Sequence, residues 1–263
     1  MGEGDVSYLV CQAAMSGWWV GCGCRGGAVL RFGEPAVHRS VDSRVIRPVA
    51  TGAAARPRTL RPMAYPPAIQ VRGLTKSYGD KHVLTGLDLD VPTGTVLALL
   101  GPNGAGETTT VEIFQGLRRR VAGSVSVLGE DPQNGSRSWR ARIGVVSQSS
   151  KDMEKLSVTE AVTHVSRFFS APADVAVTIE QVGLDDDART RVSRLSVGRR
   201  RRLDVGMAIV GRPALLFLDE PATGFDPETC RELWSLVKSL RADGTTVLLT
   251  THYLDLVSRY HTV

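Results

Sequence analysis

Two short runs carry the residues whose types and spacing suit chemistry. The first, Gly101-Pro102-Asn103-Gly104-Ala105-Gly106-Glu107-Thr108-Thr109, sits between an apolar stretch, Thr95 to Leu100, and a helical pattern from about Thr108 to Leu117. It fits the phosphate-binding spacing G-x-x-x-x-G-K-[ST] at Gly101, Gly106 and Thr108, while Glu107 stands where that pattern has lysine. Glycines at these points let backbone N–H groups close around phosphate oxygens, and the helix that follows turns its positive dipole end towards them. The Thr108 hydroxyl suits Mg²⁺. In the second run, four apolar residues, Leu215 to Leu218, end in Asp219 and Glu220. Such a strand delivers both acids to its C-terminal end, where ligands bind in open α/β sheets. Asp219 suits Mg²⁺ held through water, and Glu220 suits polarisation of an attacking water. Together the two runs specify nucleotide binding.

Glu107 alters the electrostatics of that site. The missing lysine would have supplied a cation to the β- and γ-phosphates. A carboxylate removes that attraction and adds a repulsion. Each unit-charge pair at about 4 Å is worth roughly 4 kcal/mol at an effective dielectric near 20, before solvent and Mg²⁺ relax it. Crippled hydrolysis and reduced ATP affinity are the expectation.

The elements that must position these residues are legible as patterns. Ile69 to Leu74 and Val83 to Val91 alternate as strands, and Thr95 to Leu100 is a near-continuous apolar strand. Ser124 to Leu128, Ile143 to Val146, Leu215 to Leu218 and Thr246 to Thr250 read as further strands, and Glu228 to Arg241 as an amphipathic helix. Residues 151 to 195 read as mainly helical and polar. Buried strands alternating with helices indicate an α/β fold with a mainly parallel sheet covered on both faces. Residues 1 to 62, rich in Gly, Ala and Arg, show no sustained period. They are expected to be a disordered extension, or sequence upstream of a true start at Met63.

Composition narrows the function classes. Hydrophobic residues at 42% and charged residues at 22% are ordinary for a globular chain, and no apolar run approaches the roughly 18 residues that cross a bilayer. The formal charge of +5 is uneven: residues 1 to 62 hold eight Arg and four acids, while the rest holds 24 basic and 23 acidic groups. A basic bias confined to the N-terminal segment is weak support for polyanion binding, and no nucleic-acid partner is expected. Four cysteines without metal-site spacing fit a reducing compartment and imply no zinc site.

Between the two runs lies Leu195-Ser196-Val197-Gly198-Arg199, followed by Arg200, Arg201, Arg202, Leu203 and Asp204. This resembles the LSGGQ signature of ABC-type ATPases, and the rest of that family's motif order is present. By that resemblance Tyr78 stacks on adenine, and Gln148 senses Mg²⁺ and water. Ser196 and Gly198 clamp phosphate, Asp226 belongs to the loop after the acidic run, and His252 touches the γ-phosphate. The wording of Leu203-Asp204-Val205, Gly224-Phe225-Asp226-Pro227 and Thr250-Thr251-His252-Tyr253 is most similar to the bacterial drug- and lipid-exporter branch. The resemblance implies a phosphate-loop NTPase at residues 64 to 263. It would have a mainly parallel central sheet, a small antiparallel β subdomain and a helical subdomain at about 149 to 200. It further implies ATP and Mg²⁺ as ligands and a separate membrane-spanning permease subunit. Each ATP would lie between two such subunits, as a homodimer or heterodimer, on the cytoplasmic face of the cell membrane.

The chain departs from that family at three places. Besides Glu107, Val197 replaces the first signature glycine; were φ > 0 or a close approach to phosphate required there, a β-branched residue would fit poorly and the partner's phosphate would be clamped less well. Arg199 replaces the glutamine, a milder change. The sequence stops eleven residues past His252, and Ser258 to Val263 no longer resemble the family, so the domain reads as C-terminally truncated. An ABC-type ATPase with impaired hydrolysis is the leading expectation. The alternative is a non-hydrolysing nucleotide-binding or regulatory module, or a decayed pseudoenzyme.

Overall fold

Strands with no polar interior position belong where both faces are covered. The computed structural model, which describes residues 6–10, 66–100, 106–146, 153–221 and 227–251, places them so. In chain order the elements are β1 (Val6–Val10), β2 (Ile69–Tyr78), β3 (Lys81–Val91), β4 (Val96–Leu100), α1 (Glu107–Phe114) and β5 (Ala122–Val127). Next come α2 (Arg137–Arg140), β6 (Ile143–Val146), α3 (Val158–Ser166), α4 (Val175–Gln181), α5 (Val197–Ile209), β7 (Leu215–Leu218), α6 (Pro227–Ala242) and β8 (Thr246–Thr250). One sheet runs β1-β4-β8-β7-β6 with every neighbouring pair parallel; the other is antiparallel, in the order β3-β2-β5.

Period-2 alternation gives the parallel sheet two faces with different partners. Leu216, Leu218, Val247 and Leu249 share one core with Val158 of α3, Ile179 of α4, Leu203 of α5 and Trp234 of α6. Leu215, Phe217, Leu248 and Leu99 share the other with Ile113 and Phe114 of α1 and with Ile69, Val71 and Leu87 of the antiparallel sheet. Phe217 is completely buried where the two sheets meet. Phe217→Ala is therefore expected to cost about 3–5 kcal/mol of stability, read from denaturant midpoints. A loss under about 1 kcal/mol would mean that this layer is loosely packed.

Local chemistry sets the helix boundaries. Ser157 and Glu160 form a reciprocal cap at the start of α3, the Ser157 N–H donating to Glu160 Oε2 at 2.7 Å and the Glu160 N–H to Ser157 Oγ at 3.2 Å. The expected helix from Thr108 to Leu117 stops instead at Phe114. Gly116 has φ +76°, and a Cβ there would lie 2.5 Å from the Pro132 carbonyl oxygen. Residues 151 to 195 divide into α3, α4 and a 3₁₀ turn at Val192–Arg194, and α5 runs past position 200. Two elements went unforeseen. The four-residue α2 exists to seat Trp139, which is 1% exposed and donates its indole N–H to the Val127 carbonyl at 2.7 Å. Strand β1 lies in the segment expected to lack regular structure. It pairs with β4 from Val6↔Val96 to Val10↔Leu100, covering an edge that would otherwise present open backbone groups. Five residues, of which Val6, Tyr8 and Val10 are of strand-favouring type, are too few to register as a period against a glycine-rich background.

Candidate nucleotide-binding site

Helix α1 begins directly after the glycine-rich loop. Its cap is Gly106, at φ +94° and ψ 12°, and both the Thr110 N–H and the Thr110 hydroxyl donate to the Gly106 carbonyl at 2.8 Å. Only glycine adopts this backbone cheaply, and space also demands it. A Cβ would meet Val83 Cγ1 at 2.9 Å and Leu84 Cδ2 at 3.0 Å on β3. Strand β3 thus packs against Gly106, at the start of α1. Gly106→Ala is expected to cost at least about 1–2 kcal/mol in backbone strain alone and to abolish nucleotide binding. Unchanged affinity in a titration would show that the loop exit is not part of the site. Thr108 is exposed and Thr109 half-buried on the first turn, whereas Glu107 is only 7% exposed.

The acidic pair leaves the C-terminal end of β7. Asp219 donates its N–H to the Val146 carbonyl at 3.2 Å, and Glu220 follows with φ +43°, a left-handed conformation that is uncommon without glycine. Two residues outside the motif hold this turn. The Thr250 hydroxyl donates to Asp219 Oδ1 at 2.7 Å and accepts the Glu220 N–H at 3.0 Å. From the other side, Arg201 Nη2 of α5 donates to the Asp219 carbonyl at 2.6 Å. Burial pulls the Arg201 guanidinium below its ordinary pKa, with Asp204 and Asp219 opposing that shift. Neither residue was singled out from the sequence. For Thr250 the signal was a hydroxyl closing an otherwise apolar strand, Val247 to Leu249; for Arg201 there was none, since its three neighbours are also arginines.

The acidic turn and α1 are brought to one edge by strand order. Strand β8 lies between β4 and β7, pairing Leu99 with Thr250 on one side and Leu218 with Leu249 on the other. The C-terminal ends of β4 and β7 are therefore two strand spacings apart, about 10 Å. Tyr78 ends β2 at 40% exposure, with the Lys76 ammonium 4.9 Å and the Arg118 guanidinium 5.4 Å from its ring centre. Arg118 also pairs with Glu112, which holds its pKa above the ordinary value.

The signature-like run opens α5. Ser196 caps the helix, accepting the Arg199 N–H at 3.3 Å, and Gly198 lies against Thr229 of α6, where a Cβ would stand 3.0 Å from the threonine methyl. Val197 is the first helical residue, is 73% exposed and is not among the described residues with positive φ. The positive φ that would have made a β-branched residue a poor fit is not adopted there, and a helical φ suits such a side chain well enough. Each arginine that follows is engaged within the chain. Arg199 pairs with Asp187 at 3.1 Å, Arg200 with Glu154 at 3.3 Å, and Arg202 with Glu232. The other expected site residues, Gly101 to Ala105, Gln148, Asp226 and His252, lie outside the described residues.

The donor chemistry limits what ion could be held. Among the described residues no three His, Cys, Asp or Glu converge as a metal cage. A carboxylate at Asp219 and a hydroxyl at Thr108 are hard oxygen donors, too few for calcium or zinc. They suit Mg²⁺, which keeps waters and shares phosphate oxygens. No helix among the described residues is long and apolar enough to cross a membrane.

Comparison with known proteins converges with this geometry. Residues 84–223 match the family model described as ABC transporter. The chain is 40% identical over 196 residues to the Nod factor export ATP-binding protein I of Burkholderia orbicola, covering 73% of this chain and 64% of that protein. It is 43% identical over 193 residues to the daunorubicin resistance ATP-binding protein DrrA3 of Streptomyces coeruleorubidus, covering 72% and 61%. The chain thus spans somewhat under two thirds of the length of these relatives. Among solved structures it is similar to cbiO1 from Clostridium perfringens, part of the ABC transporter complex cbiONQ. There the TM-score is 0.68 and the identity 27%, over 74% of this chain and 82% of that one.

Proposed function

Since this chain belongs to the ABC transporter family, we propose that it is an ATP-binding subunit that couples nucleotide binding and hydrolysis to export through a separate membrane-spanning permease. The observation that carries this reading is the strand order β4-β8-β7, which sets the start of α1 and the Asp219–Glu220 turn on one edge of the parallel sheet. The names of the relatives, in Nod factor export and daunorubicin resistance, favour export as the direction.

In this reading the N–H groups at the start of α1 bind the phosphates, Thr108 would supply its hydroxyl oxygen to Mg²⁺ and Asp219 would hold the ion through water, the ion neutralising phosphate charge when bound. Glu220 accepts a proton from the attacking water, and Tyr78 stacks on the base. Gln148, Asp226 and His252 are assigned to the same site by their place in the motif order. Ser196 and Gly198 serve the site of a second nucleotide-binding subunit, identical or not. The assembly lies on the cytoplasmic face of the membrane, held there by the permease.

A second reading, a nucleotide-binding module that does not hydrolyse, is favoured by one observation: the acid at position 107 lies at the first position of α1, beside the phosphate loop. Calorimetric titration of the chain with a non-hydrolysable ATP analogue and Mg²⁺, alongside phosphate release from ATP, tests both. Binding with turnover supports the first reading and binding without turnover the second. No binding by a folded chain would sink both.

A further inference from the structure

We propose that Thr250 is a positioning residue of the nucleotide site, its hydroxyl fixing Asp219 and the backbone from which Glu220 projects. The inference rests on the nucleotide-binding reading above. A carboxylate only accepts hydrogen bonds, so the single hydroxyl proton goes to Asp219 Oδ1, 2.7 Å away, and an oxygen lone pair receives the Glu220 N–H at 3.0 Å. One side chain on β8 thereby joins two residues at the end of β7. The first bond sets the rotation of the Asp219 carboxylate and leaves Oδ2 as its second acceptor. The second stabilises a backbone at φ +43° that glutamate does not adopt without compensation.

Packing does not explain the hydroxyl. Thr250 is 1% exposed at the end of a strand whose five residues are all buried. Valine has the same shape and no polar group to satisfy, so for burial alone it would serve β8 better. The hydroxyl is explained by its two partners, both in the acidic turn. Its relation to the site is that of a group behind the Mg²⁺ donor: it orients Asp219 and does not itself touch nucleotide. Outer partners of this kind typically change metal affinity by about 10–100-fold when removed.

The test uses the full chain carrying Glu107→Lys, with Thr250→Val and Thr250→Ser made in that background. The probe is a non-hydrolysable ATP analogue titrated with Mg²⁺ and again in EDTA. Thr250→Val is expected to lose at least about tenfold of the affinity that Mg²⁺ adds, with the EDTA affinity unchanged. Thr250→Ser, which keeps the hydroxyl, should stay within about threefold of its parent. A purely structural role would lower the melting temperature of the valine variant and leave the Mg²⁺ increment intact. An intact increment in Thr250→Val overturns the proposal, as does a serine variant that falls as far as valine. A valine variant too unstable to fold would lose EDTA affinity as well, and the serine variant then decides. If the Glu107→Lys parent binds the analogue under neither condition, the nucleotide-binding reading itself fails, and this inference falls with it.

Discussion

Glu107→Lys is expected to tighten Mg²⁺–ATP binding by about ten- to a hundredfold and to bring a measurable multiple-turnover ATPase rate. The substitution changes the charge beside the phosphate loop by two units. Each pair at about 4 Å carries roughly 4 kcal/mol at a dielectric near 20. Screening by Mg²⁺ and water leaves about a third to two thirds of one pair, roughly 1.3–2.7 kcal/mol, close to the stated ten- to hundredfold in affinity. Two effects oppose it. Glu107 is an acid in the first turn of α1, where the helix dipole favours a negative charge by about 0.3–1 kcal/mol, and lysine forfeits that. The position is also only 7% exposed, so the new ammonium must reach the phosphates to be solvated by them. Both costs fall mainly on the stability of the nucleotide-free chain, and both are smaller than the gain on binding. The variant should thus melt slightly lower when empty and bind more tightly. Titration calorimetry and phosphate release read the two effects separately. Equal affinities for the two chains would mean that residue 107 does not face the phosphates, and a transporter-like ATPase rate in the native chain would refute the inhibitory role of Glu107.

In the same Glu107→Lys background, Glu220→Gln is expected to reduce turnover by about 10²–10⁴-fold while nucleotide affinity stays within a few-fold. Glutamine keeps the size of the side chain and the hydrogen bond from the Glu220 N–H to Thr250, so the turn survives. What it loses is a site for the proton leaving the attacking water. The expected signature is a fall in kcat with KM nearly unchanged, which marks a group acting in the transition state. Turnover within about threefold of the parent would place water activation elsewhere and return Glu220 to a structural role in the turn.

How much of this was legible beforehand depended on the range of the interaction involved. The phosphate loop and the acidic run are local: four apolar residues before Asp219 make the strand, and the strand alone puts the acids at its end. Hence β6, β7 and β8 have the ends that their patterns predicted. The end of α1 was misread because it depends on Gly116 meeting Pro132, sixteen positions away, and α2 was missed because four residues cannot express a helical period. Strand β1 depends on an open edge of β4, some ninety residues later in the chain, and no pattern within five residues announces that. Whether Val197 needs a positive φ was likewise not legible, because its helical conformation follows from Ser196 capping α5.

The sequence by itself determined the residue types of the candidate site, their order along the chain and the acid at position 107 where the phosphate-binding pattern has lysine, because charge and spacing are properties of the chain. Only the tertiary structure decided which distant groups hold those residues in place. Thr250 and Asp219 are 31 positions apart and Arg201 and Asp219 18, yet their polar atoms meet at 2.7 and 2.6 Å. Side-chain identity is written locally. The hydrogen-bond partner of a buried polar group is chosen by packing, once β7, β8 and α5 have closed on one another and every donor left inside must find an acceptor.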